Sequence, residues 1–287
     1  MAQAKEFTMV MCLKLVTHRP EAGSANNNLS RFIAVGLRTY LKWLRVADVR
    51  EFIVVVPAEE RALVEAALRH KAPDFPWRFV IEGDLVDAGV PAGWARQQMA
   101  KLAVARLVET AAYLIVDDDT FLTRPFGTAE LYVGDRLRFN RTDIDFPFFF
   151  LWSAQLLGVD YDVVQEAPHH MAITPEPFVT AVVRDLVDVL ATRHGPSWQG
   201  VLAAHKFTEY CLYWIYLMTK GACDRYYDVD TGPLYDHAVT SPAQVPQLAE
   251  HMTRAFDASG RHYFSFIQTS LEVSTEAIVA CLPLDGA

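Results

Sequence analysis

The chain has 287 residues, 52% of them hydrophobic and 21% charged, a balance that builds a core and excludes a disordered chain. Its 26 Lys and Arg side chains are outnumbered by 35 Asp and Glu, a formal charge of -9. A nonspecific nucleic-acid binder needs the opposite sign to displace counterions, and no polybasic run is present to hold anionic lipid.

No apolar stretch reaches the ~20 residues of a membrane span. The greasiest, residues 146–159, is interrupted by Pro147, Ser153 and Gln155. Near the N-terminus, residues 7–13 are apolar but lie between Glu6 and Lys14 with no small-residue cleavage site. Four scattered cysteines (Cys12, Cys211, Cys223, Cys281) form no C-x-x-C pair and suggest neither a disulfide framework nor a thiolate metal site. The expectation is a soluble, reduced, cytoplasmic protein.

In chain order, residues 7–13 read as a strand and 29–44 as a helix. Residues 51–56 are a buried-strand run ended by Pro57. A helix over 58–70 follows, with Val64, Ala67 and Leu68 on one face, and then a third strand over 77–81. After Gly93, residues 94–109 read as a helix and 113–116 as a fourth strand. Four alternations with short, continuously apolar strands predict an α/β fold: a mostly parallel sheet covered by helices on both faces. Beyond Thr120 the pattern loosens. Extended segments are read near 136–140 and 170–173, helices over 176–192 and 208–220, and a strand over 263–268. Gly221 stops the second of these helices.

Ligands of open α/β sheets bind where strand C-termini and helix N-termini share an edge, near a switch in strand order. The residues gathered there are Lys14 and Thr17 after the first strand, Glu82 and Asp84 after the third, and residues 93–97 at the helix start. The fourth strand ends in Asp117, Asp118 and Asp119. Three successive aspartates repel one another, and Mg²⁺ or Mn²⁺ offsets that repulsion while sharing its other positions with substrate phosphates. Alternation along an extended chain puts Asp117 and Asp119 on one side and Asp118 on the other. The competing reading is a solvated turn in which Asp117 caps the next element.

Three blocks carry a family resemblance: Gly93-Trp-Ala-Arg-Gln-Gln-Met-Ala-Lys-Leu102, Tyr113-Leu-Ile-Val-Asp-Asp-Asp-Thr120, and Arg124-Pro125. Together they resemble a bacterial GT-A glycosyltransferase family largely described only as a domain of unknown function. Pro168-His-His-Met171 and Thr208-Glu-Tyr210 are similar to that family's later motifs, whereas Cys211 and Trp214 depart from it. The resemblance implies a GT-A-like sheet with a smaller mixed acceptor-side lobe. Residues 1–125 would form the nucleotide-sugar half and 126–287 the acceptor half of one continuous domain. It also implies that Asp117 and Asp119 hold the metal on the diphosphate of a sugar nucleotide, a UDP-sugar first among donors, with a small molecule or glycan as acceptor.

Around that pair, Arg96 is read either as a donor contact at a helix N-terminus or as the ion-pair partner of Glu82 or Asp84. Lys101 either reaches a phosphate or snorkels. Lys14, Thr17, Asp84 and Gln268 complete the donor-side set. Asp118 and Glu209 are the catalytic candidates. Glu209 either complements its helix dipole or, as the resemblance implies, faces the acceptor as a general base. His169, His170 and Trp152 are the acceptor-side candidates, and Phe148, Phe149 and Phe150 beside Trp152 are either a sugar platform or core. A sugar-1-phosphate nucleotidyltransferase is the rival enzyme, but it needs a glycine-rich loop after the first strand. Lys14-Leu-Val-Thr-His-Arg-Pro20 has no glycine. A noncatalytic nucleotide or sugar binder on the same scaffold is the other alternative.

Overall fold

The computed structural model describes residues 5–15, 28–140, 147–160, 174–235, 239–271 and 273–283. Four strands, β1 (Phe7–Cys12), β2 (Val49–Val56), β3 (Trp77–Ile81) and β4 (Ala112–Ile115), run parallel in the order β3-β2-β1-β4. A fifth strand, Glu176–Val179, pairs antiparallel with β4 at the edge. Every residue of β1 and β4 is buried, which is why these runs are apolar without alternation. The order reverses at β1, because β2 and β3 lie on one side and β4 on the other. The switch therefore falls between the C-terminal ends of β1 and β4.

Three sequence expectations need correction. The helix over 29–44 is three pieces, Asn28–Phe32, a π-helical turn Ile33–Leu37, and Arg38–Trp43. It packs tightly on the strand Thr120–Leu122: a Cβ on Gly36 would sit 3.1 Å from the Thr120 carbonyl oxygen. Thr39 Oγ1 there accepts the Leu122 amide at 2.9 Å. The helix over 94–109 ends at Ala103 and continues as a short 3-10 turn, Val104–Arg106. The helix over 176–192 begins four residues late, at Thr180–His194, because Glu176–Val179 is the edge strand and Pro177 is tolerated only at such an edge. The extended segment expected at 170–173 lies outside the described residues.

The second half of the chain folds back onto the first. Phe264–Phe266 pairs antiparallel with Thr120–Leu122, directly after the acidic residues. Arg136–Arg138 joins Tyr132–Val133 and Tyr227–Asp228 in a small mixed sheet. The helix Glu209–Thr219 is buried on nearly all sides, and Thr208 Oγ1 caps it by accepting the Cys211 amide at 3.0 Å. One hydrophobic core runs through both halves, from Phe7 to Phe264. A second cluster, including Val35, Phe121, Met252 and Ile278, packs the C-terminal helices against the π-helical turn. Among the described residues, no helix is long and apolar enough to cross a membrane.

Candidate active site

Asp117, Asp118 and Asp119 follow β4 in a turn, closed by the Thr120 amide donating to the Asp117 carbonyl at 3.1 Å. The alternation expected of an extended strand is therefore absent. Asp117 is held by Lys101, whose Nζ lies 2.8 Å from Oδ1, and by Thr174 Oγ1, which donates to Oδ2 at 3.0 Å. Asp118 and Asp119 line a small cleft together with Arg31, whose charge acts on both, and Asn28 hydrogen-bonds Asp118. The Thr269 amide donates to Asp119 Oδ2 at 3.2 Å.

Burial and the neighbouring aspartates hold Asp118 well above the usual carboxylate range, against the pull of Arg31 and Asn28. Burial and Asp117 likewise push Asp119 up to about 6, while Arg31 and the Thr269 amide oppose them. Arg31 is not among the residues that the sequence singles out, because an arginine on a helix reads as solvated. In the structure it is 4% exposed and donates to the Ile267 carbonyl.

Lys101 is the second buried cation, 3% exposed. Its ammonium reaches Asp117 at 2.8 Å, Glu209 Oε1 at 2.8 Å and the Tyr210 hydroxyl at 3.2 Å. Two carboxylates and a phenol enclose the ammonium, so Lys101 neither snorkels nor offers a free charge to phosphate. Burial alone would lower its pKa, but Asp117, Glu209 and Tyr210 outweigh that and hold it above the lysine range.

Glu209 is fully buried and faces Lys101, not an acceptor. Burial raises its pKa and Lys101 opposes the rise. Beyond it lies Glu176, also fully buried. Burial and Glu209 push the Glu176 carboxyl well above its ordinary value, and a side-chain hydrogen bond from Asn140 opposes them. Cys12 borders the same cluster, its thiol pushed up to about 12 chiefly by burial.

A brace lies beside this cluster. Glu82, 7% exposed, binds Lys14 at 3.1 Å and Arg96 at 2.7 Å. Arg96 also donates to the carbonyls of Val86, Asp87 and Val90 at 2.7–3.0 Å. Four of its five N–H groups thus hold the 82–90 loop, and the ion-pair reading of Arg96 describes it, not the donor contact. Gly93, which starts the helix Trp94–Ala103, has φ 138, a conformation that side-chain-bearing residues enter only under strain. That is the physical reason for the glycine in the first motif.

The remaining candidates are dispersed. Asp84 and Gln268 are exposed, and the Gln268 amide donates to the Val239 carbonyl at 2.9 Å. Thr17, His169 and His170 lie outside the described residues. Trp152 is half-buried in the helix Pro147–Leu157, its ring edge-on to His205 at 5.1 Å. The aromatic run there divides: Phe150 is core at 2% exposed, whereas Phe148 at 47% lies outside with Lys206 over its ring. Among the described residues, no group of three or more His, Cys, Asp or Glu is arranged to hold a metal ion.

Residues 7–283 match the model of a family of unknown function, DUF6492. The chain belongs to that family. No curated protein matches it. Among solved structures, the family member is similar to the galactosyltransferase LgtC in complex with donor and acceptor sugar analogs. The two are 14% identical with a TM-score of 0.48, over 96% of this chain and 95% of that one. It is also similar to mouse xyloside xylosyltransferase 1 in its apo form, at 10% identity and a TM-score of 0.47, over 94% and 99%. The mannosyltransferase Ktr4p from S. cerevisiae gives 10% identity and a TM-score of 0.47, over 75% of this chain and 66% of that one.

Proposed function

We propose that this family member is a metal-dependent glycosyltransferase, moving a sugar from a nucleotide-diphosphate donor, a UDP-sugar first among them, to an acceptor hydroxyl. The acidic turn at the β1/β4 switch carries this reading, together with the motifs at 93–125. The donor set suits Mn²⁺ or Mg²⁺. Asp117, Asp118, Asp119 and Glu209 are four carboxylates set against two cations, Lys101 and Arg31. Burial first, and then the neighbouring aspartates, raise the Asp118 and Asp119 carboxyls. Hard divalent cations take oxygen ligands of this kind and keep positions for phosphate. Asp117 and Asp119 would hold the ion, which would stabilise negative charge building on the departing diphosphate.

The chain's own residues prepare that site. Lys101, held by Glu209 and Tyr210, fixes Asp117 from below, and Thr174 fixes it from the side. The Thr269 amide orients Asp119. Glu82, Lys14 and Arg96 lock the neighbouring loop, so the edge of the sheet is organised before a donor arrives. Glu209 acts through Lys101 on Asp117, not on the acceptor. All four cysteines are free, and we place the protein in the reducing cytoplasm.

The test is incubation with a panel of sugar nucleotides plus Mn²⁺, following release of nucleoside diphosphate. Pyrophosphate release from a nucleoside triphosphate and a sugar phosphate would instead establish the nucleotidyltransferase. Saturable binding without products across the panel would establish a noncatalytic binder.

A further inference from the structure

Arg31 is buried in the short helix Asn28–Phe32, and its guanidinium lies in the field of the acidic turn. With Asp118, Asp119, Val35, Phe121, Ile267 and Ile278 it lines a small cleft. A buried guanidinium needs compensation, and here it donates to the Ile267 carbonyl and shares its cleft with Asp118 and Asp119, whose negative charge acts on it. One of those carboxylates, Asp119, is also a proposed ligand of the divalent cation. Arginine and cation would therefore act on the same carboxylates and repel each other across the turn. A diphosphate attracts both.

We propose that Arg31 is a positioning residue that makes divalent-cation binding conditional on the diphosphate. It serves as counter-ion to Asp118 and Asp119 when no donor is bound and weakens cation binding at the turn. Once a diphosphate brings its own negative charge, the guanidinium favours the combined complex. This rests on the metal-dependent reading above. A residue that merely props Ile267 against its helix would change neither the cation affinity nor its dependence on nucleotide.

The test measures Mn²⁺ binding to the full chain by electron paramagnetic resonance, alone and with UDP, GDP, CDP or dTDP, in wild type and Arg31→Gln. The expected result is that Arg31→Gln binds Mn²⁺ alone about tenfold tighter and loses a similar factor of the enhancement that nucleotide gives the wild type. Equal Mn²⁺ affinity in the two proteins overturns the role of Arg31 and leaves the metal reading standing. No Mn²⁺ binding by either protein with any nucleotide overturns both. Where Arg31→Gln does not fold, the wild type answers through the ¹⁵Nε resonance of Arg31 under Mg²⁺ titration. A shift on saturation without nucleotide supports the competition, and an unmoved resonance overturns it.

Discussion

Replacing Lys101 with methionine tests the electrostatic frame of the site directly. The side chain is 3% exposed and serves Asp117, Glu209 and Tyr210 at 2.8, 2.8 and 3.2 Å. Methionine keeps the aliphatic volume and removes the charge. Asp117 is 37% exposed on its side chain and can recover solvation, but Glu209 is fully buried and cannot. Breaking a buried pair by removing one partner costs about 3–5 kcal/mol, because the remaining charge is uncompensated. At about 2–4 °C per kcal/mol for a domain approaching this size, the melting temperature should fall by roughly 6–20 °C. Adding Glu209→Gln to Lys101→Met removes the stranded charge and should restore at least half of the loss. The sign with pH follows from the same pair. Without Lys101 the Glu209 carboxyl moves further above its unfolded value, so stability is retained below that value and lost as pH rises. The deficit against wild type should therefore be larger at pH 8 than at pH 5. Thermal and urea unfolding of the three proteins at both pH values decide the matter. A Lys101→Met loss below about 1 kcal/mol, or a double variant as unstable as the single, would refute the reasoning.

Asp119→Asn should unfold within a few degrees of wild type yet lose about 2–4 kcal/mol of transition-state stabilisation; kcat/KM with a working donor measures it, and full activity removes the metal role. Glu176→Gln should stabilise the protein at neutral pH by about 1–3 kcal/mol, the cost of an imperfectly paired buried polar group. Because the folded carboxyl lies well above its ordinary 4.5, wild-type stability is intact below that value and lost as pH rises through the folded one. The gain should accordingly vanish near pH 4 and be present at pH 8 in urea midpoints. Arg96→Ala should cost about 2 kcal/mol or more, since it leaves three loop carbonyls without their donor and Glu82 with Lys14 alone. Faster amide hydrogen exchange confined to residues 82–93 would identify the loop as the part released.

The four parallel strands and the helices between them were legible in the sequence because buried strands are short apolar runs, with Pro57 and the aspartates ending two of them and Gly93 opening a helix. The ligand edge followed from that alternation. The orientation of the aspartates was not legible: alternation presumes an extended chain, and Thr120 closes a turn instead. Glu176–Val179 read as helix because its apolar residues continue the periodicity of the helix behind it, and only pairing with β4 makes them a strand. Lys101 and Arg31 were obscured for a common reason. Each is an ordinary basic residue on a helix until a distant segment buries it, Glu209 for one and Ile267 for the other. Long-range burial of charge leaves no local signature.

The strand Phe264–Phe266 has a consequence for how the protein matures. Ile267 and Thr269, just past it, supply the carbonyl that accepts from Arg31 and the amide that donates to Asp119, the latter 150 residues after its partner. During synthesis the parallel sheet can assemble long before these two residues leave the ribosome. A nascent or truncated chain that stops short of them would own the acidic turn without its last wall.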